Sequence, residues 1–314
     1  MADQLHARSS LEEGTEAYLR HLERERNCAA HTVAAYRRDL VQFTRFLYPR
    51  SAGLRLPLNA IQHDAVDDFA RELEARGLRT SSVGRKLAAV RGLFRFLCRQ
   101  KVLAANPAAA VGVARPEKKP PPRLSLEEME RVIALPAAED GFRGARDRAI
   151  LEAFYGGGIR LSELVGLNLS ALDLEAGSVR VMGQGRRERV VPVGAEAQKA
   201  LRHYLQARAD LLLDLKITQV DAGALFLNGR GRRLHRRTVQ RLVKGYIERV
   251  TRGAGRSPHL LRHSFAAHLL EAGADLGAVK QLLGHAAVAS TQTYQEVSLE
   301  RLRRAYGKAH PRAD

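Results

Sequence analysis

The chain has 314 residues, 45% hydrophobic and 27% charged, which is ordinary for a globular protein and leaves room for two domains. Its 52 Lys and Arg outnumber its 34 Asp and Glu, and the formal net charge of +18 favours a polyanionic partner, nucleic acid first. No apolar run approaches the roughly 20 residues of a membrane span, and no secretory signal is visible, so we expect no membrane partner and a cytoplasmic location.

The two cysteines, Cys28 and Cys98, lie in no metal-ligand spacing. We expect them to be buried thiols in a reducing compartment rather than a structural disulfide. The cation at any phosphate site would then have to be arginine or lysine rather than a metal ion.

The first part of the chain predicts four amphipathic helices, because apolar residues recur every three or four positions. The segments are residues 11–26, 32–47, 64–75 and 82–100. Thr32 is the expected N-cap of the second helix, and Gly77 is expected to stop the third. Asn106 and Pro107 close this part.

A proline- and charge-rich stretch, GVARPEKKPPPR at residues 112–123, follows without an apolar period. Such segments are extended and semi-rigid, so we interpret it as an interdomain linker. Ser125 and Glu128 form a capping box that opens the next helix. We therefore predict a helical domain over residues 1–111 and a second domain over residues 124–314.

The second domain mixes helices with β-rich runs. Helices are predicted over about residues 125–135, 143–156, 160–167, 195–213, 236–250, 258–272 and 275–283. SVRVM (178–182) and RVVPV (189–193) flank GQGRRE as a hairpin, and ALFLN (224–228) is a short predicted strand. The fold class is mainly α, with one small antiparallel sheet in a mixed α+β second domain.

Three stretches of the second domain fit one phosphoryl-transfer site. Arg160 follows three glycines at a helix start, His259 and Arg262 share a helix face, and His285 precedes Tyr294 by nine residues. Taken singly, Arg160 reads as a solvated arginine and Tyr294 as a half-buried core tyrosine. Together, Arg160 and Arg262 could stabilise charge on the non-bridging phosphate oxygens, aided by His285. A tyrosine nucleophile, with its pKa near ~10, would need a neighbouring base such as His259.

With these residues in this order, the chain resembles the tyrosine recombinases of the phage integrase family, and specifically the bacterial Xer type. The stretches HTVAAYRRDL, HLLRHSFAAHLL, LLGHAAVASTQTY and AYGKAHPRAD all resemble Xer proteins, and the likeness runs from about residue 11 to residue 312. It implies a helical, SAM-like core-binding domain and a catalytic domain that clamp duplex DNA between them.

The resemblance also implies the chemistry. Tyr294 would attack a backbone phosphate to give a 3′-phosphotyrosine and a free 5′-hydroxyl, and exchange would pass through a Holliday junction without ATP, metal ion or other cofactor. The residues implied to activate the phosphate are Arg160, His259, Arg262 and His285, with Glu163 in support.

The partners implied are a double-stranded DNA recombination site, a homo- or hetero-tetramer with a related recombinase, and a septal DNA translocase. The corresponding role is chromosome dimer resolution at cell division. Two enzymatic alternatives use the same residues, a mobile-element integrase and a topoisomerase-like relaxing enzyme. A third alternative, from another class, is a DNA-binding homologue with weak catalysis.

The last alternative is motivated by a departure from the family. Xer proteins usually carry a lysine in a GKG hairpin turn that protonates the 5′-oxygen leaving group, and here that position is Gln184. An amide donates hydrogen bonds but cannot deliver a proton as an acid. Arg186 or Arg187 of the same turn, or a water held by Gln184, are the alternative proton sources.

Further arginines suit contacts with DNA phosphates, which position a protein without reading sequence. They cluster in the predicted hairpin and around the turn before residue 236. The candidates are Arg186, Arg187, Arg189, Arg230, Arg232, Arg233, Arg236 and Arg237.

Overall fold

The computed structural model describes residues 9–48, 57–112, 122–139, 141–183, 188–214, 220–252 and 255–284. The chain divides into two compact units between residues 119 and 120. That division falls inside the segment predicted as a linker, most of which lies outside the described residues. The boundaries predicted at residues 111 and 124 therefore stay predictions.

The first unit contains the four predicted helices. They are α1 (Leu11–Arg24), α2 (Ala30–Leu47), α3 (His63–Ala75) and α4 (Thr80–Arg99). Their apolar faces meet in one core, in which the Phe43 ring packs edge-on against Phe69 and Phe94, with centroids 5.1 and 6.2 Å away. Gly77 adopts φ +73° and its N–H donates to Glu74 O at 2.8 Å, which confirms it as the stop of α3.

The predicted N-cap of α2 is wrong. The helix begins at Ala30, its N-cap residue Ala29 makes no side-chain cap, and Thr32 lies in the first turn. Alanine has the highest helix propensity, so the helix extends back from the apolar stripe to Ala30. Asn27, in the left-handed conformation at φ 45°, turns the chain just before it.

The second unit contains seven α-helices and three strands among its described residues. They are α5 (Leu126–Ala134), α6 (Gly141–Gly157), α7 (Leu161–Gly166), β1 (Leu172–Asp173), β2 (Ser178–Met182), β3 (Glu188–Pro192), α8 (Ala195–Asp214), α9 (Arg236–Val250), α10 (Pro258–Glu271) and α11 (Leu276–Leu282). The capping box of α5 is confirmed by reciprocal bonds between Ser125 and Glu128, at 3.1 and 3.0 Å. Helix α6 is buried almost all round and packs against both α8 and α10.

The sheet is small and antiparallel, as predicted, with strand order β1-β2-β3. Val179 pairs with Val191 and Val181 pairs with Arg189, so these positions share the inner face. Strand β1 was not predicted, because two residues carry no alternation pattern.

The strand predicted over residues 224–228 is wrong. The segment forms only isolated bridges, at Ala224 and Leu227. Its apolar run is buried, and its backbone bonds partly to other backbone, as in Leu225 N to Leu167 O at 3.0 Å, and partly to a side chain. The Tyr204 hydroxyl donates to Leu225 O at 3.0 Å and accepts from Leu227 N at 2.9 Å. A short apolar run in a core satisfies its backbone in either way.

Among the described residues, no helix is both long enough and apolar enough to cross a membrane.

Cys28 and Cys98 are free thiols, as expected, but both are half-buried rather than buried. Cys28 follows the end of α1 and Cys98 lies in the last turn of α4, so both lie at the margin of the core of the first unit. Burial raises the pKa of the Cys98 thiol.

Candidate active site

Arg160 is held at the junction of α6 and α7. Helix α6 ends at Gly157, and Gly158 turns the chain with φ +55°, where a Cβ would lie 2.7 Å from the Phe265 ring. Arg160 is the N-cap residue of α7. Its backbone N–H donates to the Glu163 carboxylate at 2.7 Å, which anchors both residues to the start of this helix.

Glu163 is the buried anion of the site. Its side chain is only 2% exposed and accepts from Arg160 Nη1 at 2.8 Å. Arg189 reaches the same carboxylate from β3, with Nη1 at 2.5 Å from one oxygen and Nη2 at 2.9 Å from the other. Burial works to raise the pKa of Glu163, but the hydrogen bonds and charges of Arg189 and Arg160 outweigh it and hold the pKa below its usual value.

Arg262 enters the site from α10. It is buried, and its guanidinium donates to the carbonyl oxygens of Gly158 and Leu283. Burial, with the nearby positive charge of Arg160 and Arg189, lowers the pKa of Arg262 to about 10, against the opposing effect of Glu163. The positive charges of Arg160 and Arg189 therefore lie close enough to act on the Arg262 guanidinium.

The three arginines meet at the C-terminal end of α11, where each donates to a different carbonyl. Arg189 Nε lies 3.2 Å from Leu282 O, Arg262 binds Leu283 O, and Arg160 Nη2 lies 3.0 Å from Gly284 O. The last carbonyls of a helix lack partners within it and carry the negative end of its dipole, so cations suit this place.

Gly284 permits this close approach. It has φ +62°, and a Cβ there would lie 3.2 Å from Nη1 of both Arg160 and Arg189. His285 is the next residue in the sequence. The cluster therefore concentrates fixed donors and positive charge beside the point where the predicted His285–Tyr294 segment begins, which is an arrangement suited to a phosphate.

The structure brings together three of the predicted site residues, Arg160, Glu163 and Arg262. His259 lies in the first turn of α10 with an exposed side chain, and within the described part of the chain it makes no hydrogen bond. Five predicted positions lie outside the described residues. They are Gln184, Arg186, Arg187, His285 and Tyr294.

Arg189 is the member of the cluster that the sequence did not place there, since it was predicted to contact DNA. A signal was available in the strand alternation. Arg189 occupies the inner-face position opposite Val181, and an arginine on an inner face needs a buried partner.

The arginines around the start of α9 fall into two kinds. Arg230, Arg232, Arg236 and Arg237 are exposed. Arg233 is half-buried and donates to Asn168 Oδ1 at 2.6 Å, to Leu167 O at 2.9 Å and to Asp221 at 3.1 Å. Its guanidinium therefore joins the loop before α9 to the chain after α7.

Comparison with known proteins gives the same two-part division. Residues 122–301 match the phage integrase family, and residues 15–101 match the phage integrase N-terminal SAM-like domain. The chain is 41% identical over 303 residues to tyrosine recombinase XerC of Pelobacter propionicus, covering 96% of this chain and 97% of that one. It is 40% identical over 305 residues to XerC of Myxococcus xanthus, covering 97% and 100%.

Solved structures share the fold at lower identity. A lambda integrase dimer bound to a COC′ core site is 17% identical with a TM-score of 0.67, over 92% of this chain and all of that one. XerH recombinase bound to a palindromic difH substrate, in a post-cleavage complex, is 23% identical with a TM-score of 0.66, over 93% and 84%.

Proposed function

The chain belongs to the phage integrase family of tyrosine recombinases, enzymes that cut and rejoin DNA, and we propose that it is an Xer-type site-specific recombinase whose nucleophile is Tyr294. The observation that carries the proposal is the convergence of Arg160, Arg189 and Arg262 on the backbone immediately before His285. Tyr294 follows nine residues later, in the same order as in the family.

The proposed first step is a transesterification. The Tyr294 oxygen forms a bond to phosphorus, the bond from phosphorus to the 5′-oxygen breaks, and the tyrosyl proton passes to a base, for which His259 is the candidate. The departing 5′-oxygen takes up a proton and becomes a hydroxyl, and the candidate donors are Arg186, Arg187 or a water held by Gln184. Guanidiniums of Arg160 and Arg262, with His285, stabilise the charge that grows on the non-bridging oxygens. The free 5′-hydroxyl of one duplex then attacks the phosphotyrosine of the other. Because each step exchanges one phosphodiester bond for another, the reaction needs no ATP.

DNA positioning is assigned to the exposed arginines at the start of α9. They lie on one short stretch of the second unit, and with a net charge of +18 they would hold the phosphate backbone. They are Arg230, Arg232, Arg236 and Arg237. The hairpin residues Arg186 and Arg187 are assigned the same role from their sequence position, and Arg189 and Arg233 are left out because their side chains are largely buried and half-buried.

The proposed biological role is chromosome dimer resolution at cell division, in the cytoplasm. Support comes from relatives named XerC at about 40% identity over nearly their whole length. A homo- or hetero-tetramer with a related recombinase, and a septal DNA translocase, complete the proposed assembly.

Gln184 favours a second candidate function, that of a homologue which binds its site but cleaves slowly. General acid catalysis is worth about 10²–10⁴ in rate, so its loss would leave binding intact and slow only the chemistry. The two candidates differ in strand exchange and not in DNA affinity.

A plasmid carrying two direct repeats of the sequence that the protein selects from a randomised DNA pool separates them. In buffer with EDTA and without ATP, an active recombinase converts this plasmid into two smaller circles. If the protein binds the repeats but yields neither circles nor Holliday junctions, the weakly catalytic homologue is the correct description.

A further inference from the structure

The geometry points to Arg189 as a positioning residue for strand cleavage: it shares the Glu163 carboxylate with Arg160 and so keeps Arg160 turned toward the scissile phosphate. This inference rests on the proposed recombinase function and adds to it a residue of β3 that lies behind the phosphate-binding arginines.

The contacts of Arg189 join three elements of the second unit. From β3 it binds both oxygens of Glu163 on α7, at 2.5 and 2.9 Å, and Leu282 O at the end of α11, at 3.2 Å. A planar guanidinium can make this forked contact and one further bond together, whereas an ammonium group cannot match the fork.

The two arginines that share Glu163 differ in how far their side chains are exposed. The side chain of Arg189 is 16% exposed and that of Arg160 is 30% exposed. Arg160 therefore has room for a ligand on its outer side, whereas Arg189 is largely enclosed by protein. All three guanidinium nitrogens of Arg189 bind protein acceptors, whereas Arg160 and Arg262 bind only through their two Nη atoms within the described residues. Arg189 thus acts through Arg160 and does not itself meet the phosphate.

Charge explains why the second arginine matters. Three guanidiniums and one carboxylate give the cluster a net charge of +2. Without Arg189 the net charge falls to +1, and the 2%-exposed Glu163 has Arg160 as its one remaining guanidinium partner. A buried carboxylate holds its last cation tightly, so Arg160 would be drawn toward Glu163 and away from the phosphate.

The test compares Arg189→Lys with a matched control on the neighbouring strand, Arg180→Lys. Arg180 is exposed on the outer face of β2 and donates to Ser170 O at 2.9 Å. The probe is a nicked suicide duplex bearing the selected sequence, and single-turnover formation of the protein–DNA adduct is measured at saturating DNA. Since misplacement of a catalytic group by about 1 Å can cost about 10²-fold, we expect Arg189→Lys to be roughly 10–100-fold slower and Arg180→Lys to match the wild type.

Two readouts distinguish positioning from a merely structural role. The DNA dissociation constant should change less than about threefold for Arg189→Lys, and adding this change to Arg160→Lys should slow cleavage by less than about twofold, since residues that act as a unit are not additive. Wild-type rates for Arg189→Lys, or full additivity with Arg160→Lys, would overturn the inference.

A third readout tests whether the defect of Arg189→Lys acts through Arg160. A substrate with sulfur at the 5′-bridging position needs no acid, so a defect transmitted through Arg160 should be equally large on oxygen and sulfur substrates. A defect that disappears on the sulfur substrate would place Arg189 on the leaving-group side and overturn the assignment.

Folding is checked by thermal unfolding of each variant. If Arg189→Lys does not fold, Arg189→Gln, which loses the positive charge as well as the forked contact, should slow cleavage at least as much. If the wild type itself forms no adduct with DNA that it binds, the proposed function fails and this inference fails with it. If the wild type cleaves while both Arg189 variants keep its rate, the inference fails alone.

Discussion

Glu163 sets the electrostatics of the arginine cluster, because one buried carboxylate sits among three guanidiniums. Its folded-state pKa lies below the 4.5 of an unperturbed glutamate. The stabilisation from this group is therefore complete above that pH and is lost as the pH falls through the lower folded-state value.

Glu163→Gln should consequently destabilise the protein in a pH-dependent way. Near pH 7 we expect a loss at the lower end of the roughly 3–5 kcal/mol typical of breaking a buried ion pair, because Arg160 retains access to water. Urea unfolding from pH 7 down to the acid limit should show the difference between wild type and variant shrinking as Glu163 protonates. A difference that stays constant over this range would contradict the lowered pKa.

Gln184 supports a second prediction at this scale. If the turn lacks an efficient acid, a 5′-bridging sulfur substrate should be cleaved much faster than normal DNA, and Gln184→Lys should speed cleavage of normal DNA by up to about 10²–10⁴. The control is Gln206→Lys on the exposed face of α8, which adds the same charge elsewhere. Equal rates on oxygen and sulfur substrates would mean that another group supplies the proton or that chemistry is not limiting.

Arg160 and Arg262 were predicted from their motifs, and Glu163 from the family resemblance, whereas Arg189 was missed. Arg160 and Glu163 lie three residues apart at one helix start, which is compatible with their contact. Arg189 reaches Glu163 across 26 residues, through a hairpin whose register places it on the inner face. No local pattern encodes such a pair.

Helix α10 carries the site on its first turns and is tied down by its later ones. His268 lies 3.0 Å from the Tyr155 hydroxyl through Nδ1 and 3.0 Å from Leu124 O through Nε2. A carbonyl only accepts, so Nε2 bears the proton. Ser264 Oγ accepts from Leu124 N at 2.9 Å, and the residue that follows the predicted linker is thereby fixed to α10.

His268→Ala should therefore weaken the second unit by about 2–4 kcal/mol, since buried Leu124 O loses its donor and a cavity forms. The measurement is urea unfolding of the full chain, monitored by fluorescence and by circular dichroism. His203→Ala on the exposed face of α8 is the control and should change stability by less than about 0.5 kcal/mol. Equal effects of the two changes would mean that the buried contacts of His268 contribute nothing.

Element types were predicted better than strand pairing. The periodic helices of both units were found within a few residues, because an amphipathic stripe fixes the type of element. The run at 224–228 was misread, since the Tyr204 hydroxyl that satisfies part of its backbone comes from 21 residues before Leu225. Burial of an apolar run is visible in a sequence, but its hydrogen-bond partner is not.

At the scale of the molecule, the net charge of +18 predicts DNA binding that falls steeply with salt. Arg236→Gln combined with Arg237→Gln should lower the slope of log K against log salt by about 2, roughly one per phosphate contact. The control, Arg71→Gln with Arg76→Gln, removes the same charge from arginines already paired with Asp67 and Glu72. If both double variants shift the slope equally, the effect reflects net charge and not contact.

The identity of the residue that becomes joined to DNA tests the proposed function most directly. A nicked suicide duplex bearing the selected sequence is incubated with the wild type, Tyr294→Phe and the control Tyr36→Phe, and the trapped adduct is digested and mapped by mass spectrometry. We expect a 3′-phosphate ester on Tyr294, its loss in Tyr294→Phe, and its persistence in Tyr36→Phe. An adduct on another residue, or specific DNA binding by the wild type without any adduct, would contradict the proposed function.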